Sequence, residues 1–327
     1  MSEVVVTGGR GFLGSRLVEH LLAAGEDITV FDNAPTPAGR NDLPGVRYVT
    51  GDIRGTEDLS RAITSRTRII YHMAAVVGVD RYLSRPLDVI DINLTGTRAV
   101  LECAHEAGAK VVVAGTSEVF GRNPAVPWDE ESDRVLGSTS TDRWTYSSSK
   151  ALAEHLTFAF IRQYGLRASI LRYFNVYGPG QRPAFVVSRS VHRALRGFAP
   201  VVYDNGDQTR CFTFVDDAVA ATVEAGTNPS ADGESFNIGG SEETRISRVA
   251  ELVADLTGMS ATPLPVDTST TLGSAYQDLN RRIPSTEKAK ALLGWKSSVD
   301  LAEGLQRTIS WARANPWWLE QEESGVG

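Results

Sequence analysis

The chain has 327 residues, 42% of them apolar and 22% charged, with a net charge of −7 and a pI near 5.4. That is the composition of an ordinary globular protein of one large or two modest domains, and its acidity argues against nucleic acid or an anionic membrane as partner. No apolar run approaches the roughly 18 residues of a transmembrane helix, the N-terminus lacks a signal-type stretch, and two cysteines fit a reducing cytoplasm rather than a disulfide scaffold.

Glu3 to Thr7 reads as a buried strand, and Gly8-Gly9-Arg10-Gly11-Phe12-Leu13-Gly14 follows at once. A helix is predicted over Ser15 to Ala24 and a second strand over Ile28 to Phe31, ending in Asp32. Glycines between a strand and a helix let the backbone approach a pyrophosphate at the helix N-terminus, where free N–H groups favour anions. Asp32 can accept from both ribose hydroxyls and would repel a 2′-phosphate, which points to NAD rather than NADP. Strand and helix continue to alternate. Val46 to Thr50 is a strand before Gly51-Asp52-Ile53, Glu57 to Ile63 is helical, and Arg68 to His72 is a strand running into Met73-Ala74-Ala75. Pro86 opens a long helix that Gly108 ends. Asn93 on that helix is either an exposed polar position or a buried hydrogen-bonding group.

Lys110 to Ala114 is the next strand, and Thr116-Ser117-Glu118 leaves its carboxyl end. Ligands of open α/β sheets bind there, although a capped turn would use the same residues. Asn123 to Arg143 is a long polar loop, expected to be functional or mobile. A helix follows from Tyr146 to about Tyr164, then a strand, Ala168 to Arg172. Beyond Arg172 the rhythm breaks at Tyr173 to Gly180. Val186 to Arg196 is helical, and Val201 to Tyr203 and Cys211 to Phe214 are short strands around a turn. Asp216 to Ala225 is a helix, Ser235 to Ile238 a strand, Ile246 to Thr257 a helix, and Thr262 to Thr271 a loop. Helices over Ser285–Leu293 and Leu301–Ala314 finish the fold, Trp317-Trp318 pack the tail, and Glu320 to Gly327 fray.

The expected fold is α/β, a doubly wound parallel sheet of Rossmann type with a smaller mixed lobe. The expected limits are 1–174, with a returning segment near 213–225, then 175–316 and a tail over 317–327. The cleft between the lobes is the default substrate site. Tyr146 and Lys150 lie four apart, on one face of their helix. A phenol titrates near about 10, and a neighbouring ammonium would lower that value, so the pair suits proton removal from an alcohol.

Taken in order, these motifs resemble the extended short-chain dehydrogenases/reductases, and more narrowly the NAD-dependent nucleotide-sugar epimerases, dehydratases and decarboxylases. The resemblance rests on the glycine turn, Asp32, Gly51-Asp52-Ile53, Met73-Ala74-Ala75, Asn93, the Thr116 trio, Tyr146/Lys150 and Arg172 to Gln181. It implies cofactor contacts from Gly8, Gly11, Phe12, Leu13 and Gly14, from Asp32, Asn33, Asp52 and Ile53, and from Ala74, Ala75 and Asn93. Tyr146, Lys150 and Tyr173 would join them. It also implies a homodimer through a four-helix bundle built from the Pro86 and Tyr146 helices. No metal is called for.

Thr116-Ser117-Glu118 is similar to UDP-glucuronate decarboxylases, and GDP-mannose-type dehydratases share the trio. Glucose-type 4,6-dehydratases instead carry an aspartate acid where Ser117 stands. Arg143-Trp144, Gln208-x-Arg210-Cys211-Phe212 and Tyr276-Gln277-Asp278 with Arg282 are similar to the decarboxylase domain of the bacterial aminoarabinose lipid-modification enzyme. The stretch after Pro179 is shorter here.

The resemblance therefore implies NAD-dependent decarboxylation of UDP-glucuronate through a 4-keto intermediate, to UDP-xylose or a UDP-4-keto-pentose. Tyr146, Lys150, Thr116, Ser117, Glu118 and Arg210 are the expected catalytic set. Asn175, Arg182, Arg210, Tyr276 and Arg282 are expected on the substrate, with Arg210 and Arg282 suited to the diphosphate. The alternatives are a UDP-sugar 4-epimerase, a sugar dehydratase and a non-catalytic NAD-binding regulator.

Overall fold

A computed structural model describes residues 3–36, 41–260, 262–267 and 279–323. The sequence alternation produces β1 (Glu3–Thr7), α1 (Phe12–Ala23), β2 (Asp27–Asp32), β3 (Val46–Thr50), α2 (Thr56–Ser60) and β4 (Thr67–His72). Next come α3 (Val79–Ser84), α4 (Pro86–Asp91), α5 (Thr97–Ala107), β5 (Lys110–Thr116), α6 (Thr145–Tyr164) and β6 (Ala168–Tyr173). These six strands and Ser235–Ile238 form one seven-stranded sheet, ordered Ser235–Ile238, β6, β5, β4, β1, β2, β3. Every neighbouring pair is parallel. The apolar strands are long enough to bury both faces. Val4 and Val6 join the cluster of Leu17, Val18 and Leu21, while Val5 joins that of Phe31, Ile70 and Val100 on the other side. The strand order reverses beside β1, so the crevice opens at the carboxyl ends of β1 and β4.

The long helix expected from Pro86 to Gly108 is interrupted. A π-helical segment, Ile92–Gly96, joins α4 to α5. The wider turn buries Asn93, which settles its two readings in favour of a hydrogen-bonding group. The polar loop expected over Asn123 to Arg143 is also packed onto the body. Trp128 is fully buried, stacks on Phe120 at 4.9 Å, and its backbone N–H donates to Ile283 O at 2.9 Å.

The second lobe carries α7 (Val186–Leu195), and α8 (Val215–Thr227) returns from it to the first sheet. Val219, Ala221, Ala225, Phe236 and Ile238 share the core of β1. The strands on either side of residue 206 do not pair with each other. Val201–Tyr203 pairs with Leu264–Val266, and Thr209–Cys211 lies between Glu243–Arg245 and Arg281–Arg282. A strand therefore occupies part of the loop expected over Thr262 to Thr271, and residues 268–271 lie outside those described. The expected fraying does not begin at Glu320. Trp318 is buried, its indole donates to Gln181 O at 2.9 Å, and Glu323 pairs with Arg193 at 2.9 Å. Trp317 packs edge-on against Trp311.

Beneath the site, Glu154 is buried between Arg172, at 2.9 Å, and Arg134, at 3.0 Å. Removing one partner of a buried pair strands the other charge. Glu154→Ala should therefore destabilise the fold by about 3–5 kcal/mol. The check is the shift of the urea midpoint at unchanged slope; a shift within error would mean that Arg172 is satisfied without Glu154.

Candidate active site

A cavity of about 740 Å³ lies over the carboxyl ends of β1, β4, β5 and β6 and is walled by the second lobe. Its dinucleotide side is shaped by close approach. Gly8 has φ +70°, and a Cβ there would lie 2.6 Å from Ala74 N. A Cβ on Gly14 would lie 2.1 Å from Gly8 O, so α1 can start only against bare backbone. Gly11 caps α1 without a side-chain hydrogen bond, which leaves the first N–H groups to a ligand anion. Gly8, Gly11, Phe12, Leu13, Gly14, Ala75, Lys150 and Tyr173 all line the cavity.

Asp32 sits at the end of β2 and accepts from the backbone N–H groups of Arg10 and Ala34, each at 2.9 Å. These features fit an NAD pyrophosphate and ribose. Asp32, Asn33, Asp52, Ile53, Ala74 and Asn93 are not part of the cavity wall itself. Asn33 is exposed, Asp52 is turned to Arg54 at 2.6 Å, Ile53 is in the core, and Ala74 backs Gly8. The Asn93 side chain accepts from Val76 N at 3.0 Å and donates to Ser149 at 3.2 Å, and Ser149 donates to Tyr146 O at 2.9 Å. It braces the helix that carries Tyr146 rather than facing the cavity.

The chemical end is built from β5, α6 and the second lobe. Thr116, Ser117, Glu118, Tyr146 and Lys150 meet there. Thr116 hydrogen-bonds the Tyr146 phenol and accepts from Glu118 N at 3.2 Å. Glu118 lies between two guanidiniums, Arg143 at 2.8 Å and Arg282 at 2.7 Å. Burial pushes its carboxyl up, but Arg143 and then Arg282 outweigh burial and hold it at about 2.

The Tyr146/Lys150 pair behaves differently from the sequence expectation. Burial first, and the Glu118 charge second, push the phenol above its ordinary value; the Thr116 hydrogen bond and Arg282 oppose them. Lys150 donates to Ala114 O, and burial lowers its ammonium to about 8 against the pull of Glu154. Arg282 is a cation that opposes the upward push on the phenol, and the Lys150 head is turned to the β5 backbone.

On the substrate side, Asn175 has φ +42° and donates to Cys211 O at 3.0 Å. Arg182 donates to Val77 O at 3.0 Å. Arg210 donates to the carbonyls of Thr209, at 2.8 Å, and Leu279, at 2.7 Å. All three line the cavity, and Tyr276 lies outside the described residues. Arg210 and Arg282 are register partners on neighbouring strands, yet it is Arg282 that reaches Glu118. Glu118 and Arg210 are both in the catalytic set expected from the resemblance, whereas Arg282 is expected only on the substrate. Cys211 is buried, and burial pushes its thiol up to about 12, as packing rather than reactivity requires.

Sequence reasoning gave no role to three cavity-lining residues, Arg143, Arg189 and Tyr203. Arg143, three residues before Tyr146, was readable as a site residue. For Arg189 the only sequence signal was a cation between small and apolar residues of α7.

A family model for the NAD dependent epimerase/dehydratase family matches residues 4–239. The chain belongs to that family. It is 34% identical over 315 residues, 94% of this chain and 97% of the other, to a UDP-N-acetyl-alpha-D-glucosaminuronate decarboxylase of Bacillus cytotoxicus. The structure superposes on the Thermus thermophilus UDP-glucose 4-epimerase in complex with NAD with a TM-score of 0.84 and 30% identity, covering 95% of this chain and 99% of that one. A dTDP-glucose 4,6-dehydratase of Bacillus anthracis in complex with NAD gives 0.84 and 28%, covering 97% and 98%. The expected class, an extended short-chain dehydrogenase/reductase of the nucleotide-sugar epimerase, dehydratase and decarboxylase group, is borne out, and so is NAD as cofactor.

Lys150 is an ammonium below about 8 and an amine above it. If its charge assists proton removal, kcat/KM should fall as pH rises through that value. Lys150→Arg, charged throughout, should lose this alkaline limb at whatever residual rate remains. A wild-type profile that stays flat across the range would remove the Lys150 charge from the mechanism.

Proposed function

We propose that this enzyme decarboxylates a UDP-hexuronate through a 4-keto intermediate, with UDP-glucuronate as the first substrate to test. The observation that carries the reading is Glu118 held ionised between Arg143 and Arg282 beside the Thr116–Tyr146 pair. A dehydratase needs an un-ionised acid for its leaving hydroxyl. A carboxyl held at about 2 and the Ser117 hydroxyl are poor acids for that task. A decarboxylase needs the opposite, fixed positive charge where a carboxylate sits and an enolate develops. The relatives named as UDP-glucuronic acid decarboxylases, 32% identical in Xenopus tropicalis for example, support the same reading.

Bound NAD supplies reversible hydride transfer at the sugar C4. Gly8, Gly11, Gly14 and Asp32 would hold it. Tyr146 accepts the proton of the C4 hydroxyl, and Thr116 donates to the ketone oxygen that results. The C6 carboxylate is then part of a β-keto acid. The C5–C6 bond breaks, carbon dioxide leaves, and the electron pair passes to the C4 oxygen as an enolate. Arg282 faces that charge, and a water ordered by Glu118 returns a proton to C5. Because Glu118 is already ionised, it positions this water rather than supplying the proton. Asn175, Arg182 and Arg210 hold the nucleotide sugar from the second lobe. The second lobe, 175–316, and the pairing of two chains through the α4–α6 faces remain parts of this reading.

Mass spectrometry of the products from UDP-glucuronate and UDP-N-acetylglucosaminuronate tests it. Loss of carbon dioxide from either supports decarboxylation. An isomer of unchanged mass would make the enzyme a uronate 4-epimerase, and no reaction with either sugar would overturn the assignment. Tyr146→Phe should lower kcat by roughly 100-fold or more while bound NAD is retained. Glu118→Gln should slow release of carbon dioxide more than it changes KM. Wild-type turnover in Tyr146→Phe would end the proposed mechanism.

A further inference from the structure

The glycine turn carries one charged residue, Arg10, where bare backbone would suffice to admit a pyrophosphate. Its backbone N–H donates at 2.9 Å to Asp32, the carboxylate placed for a ribose. Its side chain lines the cofactor end of the cavity and is only 9% exposed. The guanidinium reaches across to the segment that follows β2. Nη1 donates to Ala34 O at 2.9 Å, and Nη2 donates to both carboxylate oxygens of Asp42, at 3.1 and 2.9 Å. The guanidinium carbon lies 4.8 Å from the centre of the Tyr48 ring on β3.

Asp42 is itself held for this contact. The Thr36 hydroxyl donates to it at 2.7 Å, and Leu43 N donates to the Tyr48 hydroxyl at 3.0 Å. One side chain therefore ties the glycine turn to residues 34–36 and 41–43. That segment comes directly after Asp32, so it borders the place where the adenosine half of NAD fits.

Two features separate this contact from an ordinary surface ion pair. The Asp42 side chain is 42% exposed, so the pair adds little to the stability of the fold. Yet Nε of Arg10 is buried and, among the described residues, meets no acceptor. Leaving a buried guanidinium donor unfilled is costly. Both η nitrogens are taken by Ala34 and Asp42, so Nε is the donor left for a ligand. A ribose hydroxyl or a phosphate oxygen of the cofactor has the chemistry to fill it.

We infer that Arg10 and Asp42 form a clasp that closes the adenosine side of the NAD site and slows release of the cofactor. Such retention matters wherever NAD is reduced and reoxidised without leaving the protein. The inference rests on NAD binding and not on the reaction that NAD serves.

Stopped-flow fluorescence of the NADH-loaded enzyme, chased with excess NAD, reads the release rate. Arg10→Ala should raise it roughly 10- to 100-fold, the loss expected for a charge-assisted hydrogen bond. Asp42→Asn should raise it in the same direction by a smaller factor. The double variant should release NADH no faster than Arg10→Ala alone, because the two residues act as one unit. Calorimetry with ADP-ribose, which lacks the nicotinamide, should show a matching loss of affinity in Arg10→Ala. Should Arg10→Ala fail to fold, Asp42→Asn, at an exposed position, still decides. Wild-type release from Asp42→Asn overturns the clasp, and so do additive effects of the two substitutions. ADP-ribose bound as tightly by Arg10→Ala as by the wild type overturns it as well. If UDP-glucuronate proves inert while NADH release still depends on Arg10 and Asp42, the decarboxylase reading falls and this one stands.

Discussion

Glu118 is the point on which the site depends. It leaves the end of β5, and its two partners come from separate parts of the chain, Arg143 from the end of the long loop and Arg282 from the second lobe. One carboxylate therefore ties the nucleotide-binding sheet, the loop and the substrate lobe together. It also sets the local electrostatics. Without it, two buried guanidiniums would face each other across the cavity and repel. With it, the Tyr146 phenol feels a negative charge and a positive charge at once, and burial decides the balance.

The scaffold under this cluster is held by hydrogen bonds whose direction can be read. The Thr97 hydroxyl donates to Asn93 O at 2.6 Å, so it can only accept from His72 Nε2, at 3.1 Å. His72 Nδ1 is then the bare nitrogen and accepts from the Thr7 hydroxyl at 2.8 Å. Burial, and then the charge of Lys150, lowers the imidazole to about 3, so it stays neutral wherever the enzyme works. His72 thus joins β1, β4 and the π-helical turn as a fixed bracket. Asn93 extends the bracket to Val76 and Ser149, and through Ser149 to the backbone of Tyr146. The extra residue of the π turn is what brings the Asn93 amide inward.

Much of this was legible beforehand. The glycine turn, Asp32, the Thr116 trio and the Tyr146/Lys150 spacing are local patterns, and each landed near the sheet edge that strand order predicts. The readings that changed depend on where side chains point. Lys150 is on the expected helical face, yet its head turns to Ala114 O. Arg210 and Arg282 are interchangeable as sequence symbols, and only the strand register and side-chain direction send Arg282 to Glu118. The loop over Asn123 to Arg143 gave no local sign of its anchor, Trp128, whose backbone partner Ile283 lies far along the chain. The tail looked frayed because ion pairs such as that of Glu323 with Arg193 have no periodicity to betray them.

By itself, the sequence determined the α/β alternation, the dinucleotide turn, the preference for NAD and the placing of Tyr146 and Lys150 on one helix. These follow from short-range rules: two-sided burial of apolar strands, glycine where backbone meets backbone, and helical spacing. Only the tertiary structure decided which arginines hold Glu118, that the long helix takes a π turn at Asn93, and that Arg189 and the C-terminal segment wall the cavity. Those outcomes are set by contacts between residues tens to hundreds of positions apart. Electrostatic and packing energies act through space, and one-dimensional patterns carry no record of that distance.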